Sequence, residues 1–538
     1  MKSGLLRRWA LTTVCAFGLT GAAFQAVQAE TLAEAVELAY RTNPNIQAQR
    51  ASLRALDESY VQARSGFGLN AGVQVSRNEF MLKRSGPQGG EAQATTNSAS
   101  LSIQQPIYSG GRLSARTNAA EADIEAGRQQ LRRFELDLMV RVVAAYVNVR
   151  RDERVLQIAR DLAKVLEDQL TDTDAKFEVR QVTATDQAQA RARLAQARTQ
   201  LANAEAQLNA SRANYVALVG RAPGSLEPEP AIEGLPPTVD AAFDLAEAQN
   251  PQLLQSQFTE QASRARVAEV RSQRRPQLSL RATAARNPTS QFATNPIDES
   301  ITLSAVVSQP LFTGGALTSQ IRQTVEQNNR DRLLIEDARR NMIQSVAQGW
   351  EQLAGARGAL LSQQQEVQAD ETAFYGVREE EKVGLRSTIE ILNAIQELAA
   401  AQLSLARGRA NEYVSRVQLL AQIGSLSLDD LSPGANSYDP ARNFDKVHNK
   451  GALPWEAGLR AIDRIAGAPI GGLRPAATEP AGRPTAASAL PGAPPPAAEV
   501  KPSVTIDEIM ASTRQIPVDA SAPVSTNRQA ETTVPPKP

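Results

Sequence analysis

The 538-residue sequence contains one cysteine, Cys15, and one histidine, His448. A zinc site takes three or four ligands, mostly thiolate or imidazole, so the sequence does not predict a metal centre. A Ser-His-Asp or Cys-His nucleophile could be built only around His448, so we expect neither an enzyme nor a cofactor. The 58 basic and 58 acidic residues balance, and this zero net charge predicts no overall attraction to nucleic acid.

Long hydrophobic runs are absent after the first segment of the chain. Residues 1–29 carry basic side chains at 2–8, an apolar stretch at 9–23 and small residues before a cleavage point near Ala29. This order is typical of a secretory signal peptide. The alternative is a membrane anchor, but the stretch is shorter than the about 20 residues of a spanning helix. We therefore expect an exported protein whose single cysteine, Cys15, is removed with the signal.

The sequence repeats itself. The motif QPIYSGG at residues 105–111 recurs as QPLFTGG at 309–315, a spacing of 204 residues, and Gly220 recurs as Gly424 at the same spacing. An Asn-Pro pair near the start of each copy recurs at a similar spacing. These landmarks predict a tandem duplication. The predicted segments are a first repeat at 30–222, a linker at 223–237 and a second repeat at 238–424.

Each repeat predicts a pair of strands followed by a long helical hairpin. Apolar and small polar residues alternate along about 67–108 and about 277–311, as in strands with one apolar face. The following segments, about 112–219 and about 314–424, lack proline, which costs about 3 kcal/mol inside a helix. Each segment is interrupted once, so each predicts two helices. The first helix would be roughly 95 Å long.

The predicted strands leave two architectures open. Four strands are too few to close a β-barrel, and lipid does not tolerate an exposed sheet edge. Three chains would supply twelve strands, enough for an open pore. The same alternation is also typical of a soluble sheet packed on helices, but the helices that follow lack large apolar residues to cover one. We therefore expect an α+β membrane protein that closes its barrel by oligomerising.

Over roughly residues 31–431 the pattern resembles the TolC-like outer-membrane factor family. The resemblance rests on the duplication, the two QP-[IL]-[YF]-[ST]-GG junctions, the two Asn-Pro helix starts and the hairpin sequences. It implies a homotrimer with a twelve-stranded β-barrel in the outer membrane. It also implies a long α-helical coiled-coil tunnel in the periplasm and a small mixed α/β equatorial belt.

The function implied by this resemblance is that of a passive exit duct in a tripartite export system. The duct would pass small molecules, type I secreted proteins or both. The implied partners are a periplasmic adaptor (membrane fusion) protein, an ABC or proton-driven inner-membrane transporter and the lipid of the outer membrane. The alternative is a periplasmic coiled-coil structural or adaptor protein without a pore.

The resemblance also implies a gate near the ends of the hairpins. Thr185 and Asp186 match a pair that links to an arginine, matched here by Arg386, within and between protomers. Glu390 matches an acid of the narrowest constriction, and Asn393 stands where relatives often carry a second acid, so we expect a weakened carboxylate ring. The alternative is that these are solvated helix-end residues with contacts worth about 0–1 kcal/mol.

Some residues depart from the family pattern or serve geometry alone. Arg180 stands where the first hairpin often has glycine, Gly384 is retained in the second, and Glu381 replaces a frequent tyrosine. At the two strand-to-helix junctions we expect prolines to end the strands and glycines to allow a sharp turn, with no chemical role. These junction residues are Pro106, Gly110, Gly111, Pro310, Gly314 and Gly315.

The C-terminal part of the chain follows the second repeat. Residues 425–466 are predicted to join the belt, with His448 in a surface or packing role. Nearly half of the 30 prolines lie in the Pro- and Ala-rich residues 467–538. Such a composition buries too little apolar surface to offset the entropy of ordering, so we expect a disordered tail.

Overall fold

The computed structural model describes residues 30–465, apart from 85, 87, 88, 291 and 292. The predicted signal peptide and the predicted tail lie outside the described residues. The elements of the first repeat are α1 (Leu32–Thr42), α2 (Pro44–Arg64), β1 (Asn70–Arg84), β2 (Gly90–Tyr108), α3 (Arg112–Glu178) and α4 (Ala184–Val219). Those of the second are α5 (Val239–Gln249), α6 (Pro251–Ser272), β3 (Gln277–Ser290), β4 (Ala293–Ser308), α7 (Ala316–Lys382) and α8 (Thr388–Ile423). The C-terminal segment forms α9 (Leu428–Leu431), α10 (Arg442–Val447) and α11 (Glu456–Ile465).

The two hairpins have identical element lengths. Helices α3 and α7 each contain 67 residues, and α4 and α8 each contain 36. At about 1.5 Å per residue, α3 and α7 are each about 100 Å long. Both hairpins end in a left-handed glycine, Gly220 with φ 87° and Gly424 with φ 93°, where the missing Cβ removes the steric penalty.

The Asn-Pro pairs begin α2 and α6, as predicted. The side chain of Asn43 accepts a hydrogen bond from the Asn45 amide, and Asn250 accepts one from Gln252, while proline takes the first helical position. Each asparagine also donates its own amide to a hairpin. Asn43 Nδ2 lies 3.1 Å from the Leu218 carbonyl oxygen, and Asn250 Nδ2 makes the equivalent contact with the second hairpin at 2.7 Å. The motif therefore caps one helix and ties it to the end of another.

The four strands form one antiparallel sheet in the order β1-β2-β3-β4. Residues paired across antiparallel strands point to the same face. An apolar row crosses the sheet through Val73, Leu101, Ala284 and Ile301, and the adjacent row on the opposite face holds Gly72, Ser102, Thr283 and Thr302. Val73 is 74% exposed and Ile301 89% exposed in the single chain, so the helices of the described residues do not cover this part of the apolar face.

The structure corrects two details of the predicted strands. Phe67 was assigned to the first strand, but it lies buried in a 3₁₀ turn against Leu113, and β1 begins three residues later. Pro106 was expected to end the pairing of β2, but it remains paired with Ser279 and the strand continues to Tyr108. A register shift between Pro106 and Tyr108 accommodates the missing N–H. By contrast, Pro310 lies beyond the end of β4.

The buried apolar residues form separate clusters along the helices. The largest joins α1 and α3 to α4, α8 and α9, and another gathers α5, α7 and α8 around Trp350. A third holds the hairpins together near their far ends, with Leu166, Phe374 and Leu392 at its centre. No helix in the described part of the chain is long and apolar enough to cross a membrane.

Candidate functional site: the turns of the two helical hairpins

The two hairpin turns have the same backbone hydrogen bonds, but the residue in the left-handed conformation differs between them. In the first turn Gln181 N–H bonds the Lys176 carbonyl at 2.9 Å, and in the second Leu385 N–H bonds the Glu380 carbonyl at 2.9 Å. This pattern closes a helix with a left-handed residue. Gly384 fills that position in the second turn with φ 79°.

Arg180 fills the same position in the first turn with φ 60°. Across residues 30–465 as described, it is the one residue other than glycine with a positive φ. A left-handed conformation costs an L-residue about 1–2 kcal/mol. The departure noted in the sequence at Arg180 therefore places strain in the first turn.

Each turn leads into a helix that starts with a capping box. Thr183 Oγ1 accepts the Asp186 N–H, and the Asp186 carboxylate accepts the Thr183 N–H at 2.9 Å and its hydroxyl at 2.7 Å. In the second hairpin Glu390 accepts the N–H and hydroxyl of Ser387 at 2.7 and 2.9 Å. Asp186 and Glu390 thus occupy equivalent positions, each satisfying donors at a helix N-terminus.

Ion pairs distinguish the second turn from the first. Arg386 Nε lies 2.7 Å from Glu380 Oε2, and Arg386 Nη1 lies 3.0 Å from Glu390 Oε1. Hydrogen bonds from the Ser387 N–H and hydroxyl, together with Arg386, lower the pKa of Glu390 to about 2. The Thr183 hydroxyl and N–H lower the pKa of Asp186. Both carboxylates are therefore charged at any pH above about 4.

Polar side chains link the two hairpins to each other. Lys176 Nζ on α3 lies 2.5 Å from Glu381 Oε1 on α7 and 2.7 Å from Asp172. Burial alone would lower the pKa of Lys176, but these two carboxylates outweigh it and raise the pKa. Further from the turns, Arg193 Nη2 donates to Asn393 Oδ1 at 3.2 Å.

Sequence reasoning missed Lys176. The duplication carried a signal for it, because the residue equivalent to Lys176 in the second repeat is Glu380, of opposite charge. Opposite charges at equivalent positions of the two repeats indicate that the two side chains have different partners. Glu381, noted in the sequence for the tyrosine it replaces, is the partner that Lys176 uses.

The single chain does not bring the predicted gate residues together. Asp186 bonds Thr183, Arg386 bonds Glu380 and Glu390, and Thr185 is exposed in the first turn of α4. Both carboxylates that the sequence analysis assigned to the gate or the constriction also serve as helix caps. The motif of Ser or Thr followed three residues later by Asp or Glu is visible in the sequence. Links between protomers stay a prediction.

The strand-to-helix junctions have the predicted glycine geometry. The φ angles of Gly110, Gly111, Gly314 and Gly315 are 72°, 87°, 60° and 84°. A Cβ on Gly110 would lie 2.7 Å from the Arg275 Cβ, whereas one on Gly314 would meet nothing within 4 Å. The first junction is therefore packed and the second is open.

Within the described ranges, no group of three or more His, Cys, Asp and Glu side chains could hold a metal ion. His448 ends α10, where its ring stacks on Phe444 at 5.3 Å and its Nδ1 lies 3.1 Å from the Phe444 carbonyl oxygen. His448 is half-buried, and its surface or belt-packing role stays a prediction.

The duplicated sheet and hairpin have clear relatives. The sequence profile of the family described as "Outer membrane efflux protein" matches residues 35–221 and 242–425. The chain belongs to this family, and it is an outer-membrane channel protein of an export system. The resemblance seen in the sequence is thereby confirmed.

Individual relatives agree with this assignment. The chain is 28% identical over 447 residues to the outer membrane efflux protein BepC of Brucella suis, covering 83% of this chain and 94% of that protein. It is 24% identical over 358 residues to the alkaline protease secretion protein AprF of Pseudomonas aeruginosa, covering 64% of this chain and 74% of AprF. The crystal structure of the Campylobacter jejuni CmeC outer membrane channel shares its fold, with a TM-score of 0.66 at 14% identity over 79% of this chain and 90% of CmeC.

Proposed function

We propose that three copies of the chain assemble into the exit duct of a tripartite export system. The observation that carries the proposal is the four-stranded sheet, in which the outer edges of β1 and β4 pair with no further strand of the described residues. Strands β1 and β4 contain 15 and 16 residues, and free edges of this length pair readily with another chain. Pairing β4 of one copy with β1 of the next, three times, closes a twelve-stranded barrel without an edge.

The exposed apolar face supports a membrane position for this barrel. Val73, Val75, Ile301 and Leu303 are all largely exposed on the single chain and lie on one face. Burying apolar surface contributes about 25 cal/mol per Å², so this face favours lipid outside the barrel. Small hydroxyl and amide side chains on the other face would then line a polar pore.

Below the barrel, four helices from each copy would make a twelve-helix tunnel. The exposed Leu333 and Leu334 on α7 are available for contacts between copies. At the far ends, Val179 on one turn and Val383 and Leu385 on the other are exposed, the last two at 71% and 76%. Apolar side chains at such positions support docking of a protein partner. We assign this partner as the periplasmic adaptor, which joins the duct to an inner-membrane transporter.

Within this assembly the hairpin turns form the gate. Asp186 is held rigidly by its capping box and Arg386 by two glutamates, so both present fixed charges to a neighbouring protomer. Threefold symmetry would arrange Glu390 in a ring of three carboxylates that favours cations. Asn393, which accepts a hydrogen bond from Arg193, adds no charge to the ring.

Two kinds of cargo fit the same duct. BepC is named as an efflux protein and AprF as a protease secretion protein, so small molecules and secreted proteins are both candidates. Deleting the gene and measuring drug sensitivity together with the secreted proteome distinguishes them. Increased sensitivity with an unchanged secretome indicates small-molecule efflux, and the reverse indicates type I secretion.

The assembly is tested by cell fractionation and electrophoresis without heating. We expect the protein in the outer membrane, migrating as a trimer that heating converts to monomers. A periplasmic monomer would contradict the exit duct and favour a structural or adaptor protein without a pore.

The gate is tested by conductance in planar lipid bilayers. Arg386→Ser removes the guanidinium that joins Glu380 and Glu390, so we expect a higher single-channel conductance than in the unmodified protein. Lys382→Ser is the matched control, because Lys382 pairs only locally, with Glu379 at 2.6 Å. Equal conductance of the Arg386→Ser and Lys382→Ser proteins would exclude Arg386 from the gate.

The constriction is tested by ion selectivity in the same bilayers. Glu390→Gln should lower the preference for cations over anions, because it neutralises three carboxylates in the trimer. Asn393→Asp should raise that preference by adding three. If neither substitution changes the reversal potential in a salt gradient, these positions do not line the narrowest part of the duct.

A further inference from the structure

The C-terminal segment at residues 440–465 packs along α2, and its last helix contacts the first strand-to-helix junction. Asn443 Nδ2 donates to the Asp57 carboxylate at 2.7 Å. Phe444 packs edge-to-face on Tyr60 with ring centroids 5.2 Å apart. From the sequence this segment is predicted to join the equatorial belt, and its last helix, α11, lies against β2 and α3.

The contacts become buried towards the end of the segment. The Arg64 guanidinium at the end of α2 donates to the Lys450 carbonyl. Its Nε lies 3.6 Å from Glu456 Oε1, and both side chains are buried. Leu459 on α11 packs with Phe67 and Leu113 in a small apolar cluster of its own. Removing either side chain of this pair would leave an uncompensated buried charge, so each side chain keeps the other in place.

Asp463 makes the most concentrated set of contacts. Its Oδ1 accepts the Ser109 N–H and hydroxyl at 2.8 Å each and the Gly111 N–H at 3.1 Å. Its Oδ2 accepts the Ser114 N–H at 3.2 Å and hydroxyl at 2.9 Å. Burial alone would raise the pKa of Asp463, but these hydrogen bonds outweigh it and lower the pKa. One carboxylate thus satisfies the donors at the start of α3.

The second junction has the same glycine turn but a different neighbour. Its hydroxyl residues, Thr313 and Thr318, stand at the positions of Ser109 and Ser114. Thr318 Oγ1 accepts a hydrogen bond from the Arg274 guanidinium at 3.1 Å, so a cation lies where the first junction has a carboxylate. Leu311 and Phe312 in this junction are 92% and 91% exposed. The duplication therefore does not account for the contacts of Asp463.

We propose that residues 440–465 are a C-terminal clamp, in which Asp463 is the positioning residue that holds the turn from β2 into α3. The clamp connects α2, β2 and α3 through one segment that lies outside the two repeats. It fixes the first junction from within the chain. The proposal depends on contacts inside one chain, so it holds or fails independently of trimer formation and gating.

The clamp is tested by cysteine labelling of the exported protein, in which the introduced cysteine is the single thiol once Cys15 is removed with the predicted signal peptide. Leu459→Cys places a buried thiol in the clamp, and its rate of reaction with a maleimide follows the opening of α11. We expect Asp463→Asn to raise this rate about tenfold or more, because the amide group cannot accept all five hydrogen bonds. The matched control is Asp445→Asn, since Asp445 is exposed on α10 and its loss should leave the rate unchanged.

Two further variants separate local opening from general loss of structure. A cysteine at Leu392, buried near the hairpin turns, should label equally slowly with and without Asp463→Asn. The double variant Ser109→Ala, Ser114→Ala should accelerate Leu459→Cys labelling, because it removes two of the five hydrogen bonds. Adding Asp463→Asn should accelerate it further, but by less than Asp463→Asn alone, because three backbone N–H donors remain and the three residues are coupled.

Three results would overturn the clamp. One is equal labelling of Leu459→Cys in the Asp463→Asn and Asp445→Asn proteins. Another is equal acceleration at Leu392→Cys, which indicates global unfolding. The third result applies if the Asp463→Asn protein does not fold, in which case Ser114→Ala replaces it. An unchanged rate of Leu459→Cys labelling in the Ser114→Ala protein would then contradict the proposal, and a faster rate would support it.

Discussion

The hairpin helices of the two repeats begin and end at equivalent residues, but their buried side chains differ. Tyr146 on α3 and Trp350 on α7 are equivalent, 204 residues apart, and both are fully buried. Trp350 fills an apolar cluster, whereas the Tyr146 hydroxyl donates to the carbonyl oxygens of Glu30 and Glu227 at 2.8 Å each. Tyr146 also packs in the largest apolar cluster, so the duplicated backbone accommodates an indole at one of the two equivalent buried positions and a hydrogen-bonded phenol at the other.

A second matched pair shows the same divergence. The Tyr215 hydroxyl donates to the Glu30 carboxylate at 2.7 Å, and Arg221 pairs with that carboxylate at 2.6 Å. The equivalent of Tyr215 in the second repeat is Leu419, buried in an apolar cluster. The first repeat uses polar groups to hold the segment around Glu30. The second repeat has apolar side chains at both positions.

The largest expected effect on the free energy of unfolding comes from the two equivalent aromatic residues, Trp350 and Tyr146. Trp350→Ala leaves a cavity in an apolar cluster and should lower the free energy of unfolding by about 3–5 kcal/mol. Tyr146→Phe removes one hydroxyl from two buried carbonyl oxygens and should cost about 1–3 kcal/mol. Guanidinium unfolding of the purified proteins measures both. A larger loss for Tyr146→Phe would mean that the hydrogen bonds dominate the first core.

The glycines that end the two hairpins offer a second matched pair. Alanine at either position costs about 1–2 kcal/mol for the left-handed backbone. A Cβ on Gly424 would also lie 2.6 Å from the Gln249 carbonyl oxygen, whereas one on Gly220 would meet nothing within 4 Å. Gly424→Ala should therefore destabilise the protein by about 1–3 kcal/mol more than Gly220→Ala. Equal unfolding midpoints would show that the segment before α6 can move aside.

The hairpin turns offer a smaller test. Arg180→Gly relieves the left-handed strain and should stabilise the protein by about 0.5–1 kcal/mol, after the entropy of the added glycine is deducted. Gly384→Arg should destabilise it by about 1–2 kcal/mol. Thermal unfolding of both variants checks the opposite signs. If Arg180→Gly is neutral or harmful, the arginine side chain makes contacts in the assembly that offset its strain.

The smallest effect concerns the pH dependence of the second turn. The pKa of Glu390 is lower in the folded chain, about 2, than the about 4.3 of a free glutamate. The stability that it contributes is therefore fully present above about pH 4.3 and is lost as the pH falls towards 2. The difference in unfolding midpoint between the unmodified protein and Glu390→Gln should be the same at pH 7 and pH 5 and smaller at pH 3. A difference that vanishes at pH 5 would contradict the depressed pKa.

The strand pairs and helical hairpins of the single chain could be predicted from the sequence because their signals are local and occur twice. Proline-free stretches indicated helices that the structure shows to be 67 residues long, and alternation indicated the strands. The prediction that Pro106 ends the pairing of β2 was wrong, because a bulge depends on the register of the partner strand. Asp186 and Glu390 were assigned to the gate and their capping boxes were not recognised, although the spacing that defines such a box was present.

The duplicated order of strands and helices, the glycine turns and the Asn-Pro helix starts can be predicted from the sequence, since each depends on residues close together in the chain. The pairing of Lys176 with Glu381 across the hairpins depends instead on the folded structure. So does the contact of Asp463 with Ser109, 354 residues away. Such contacts follow from the packing of whole helices, which places distant side chains together and excludes water from between them.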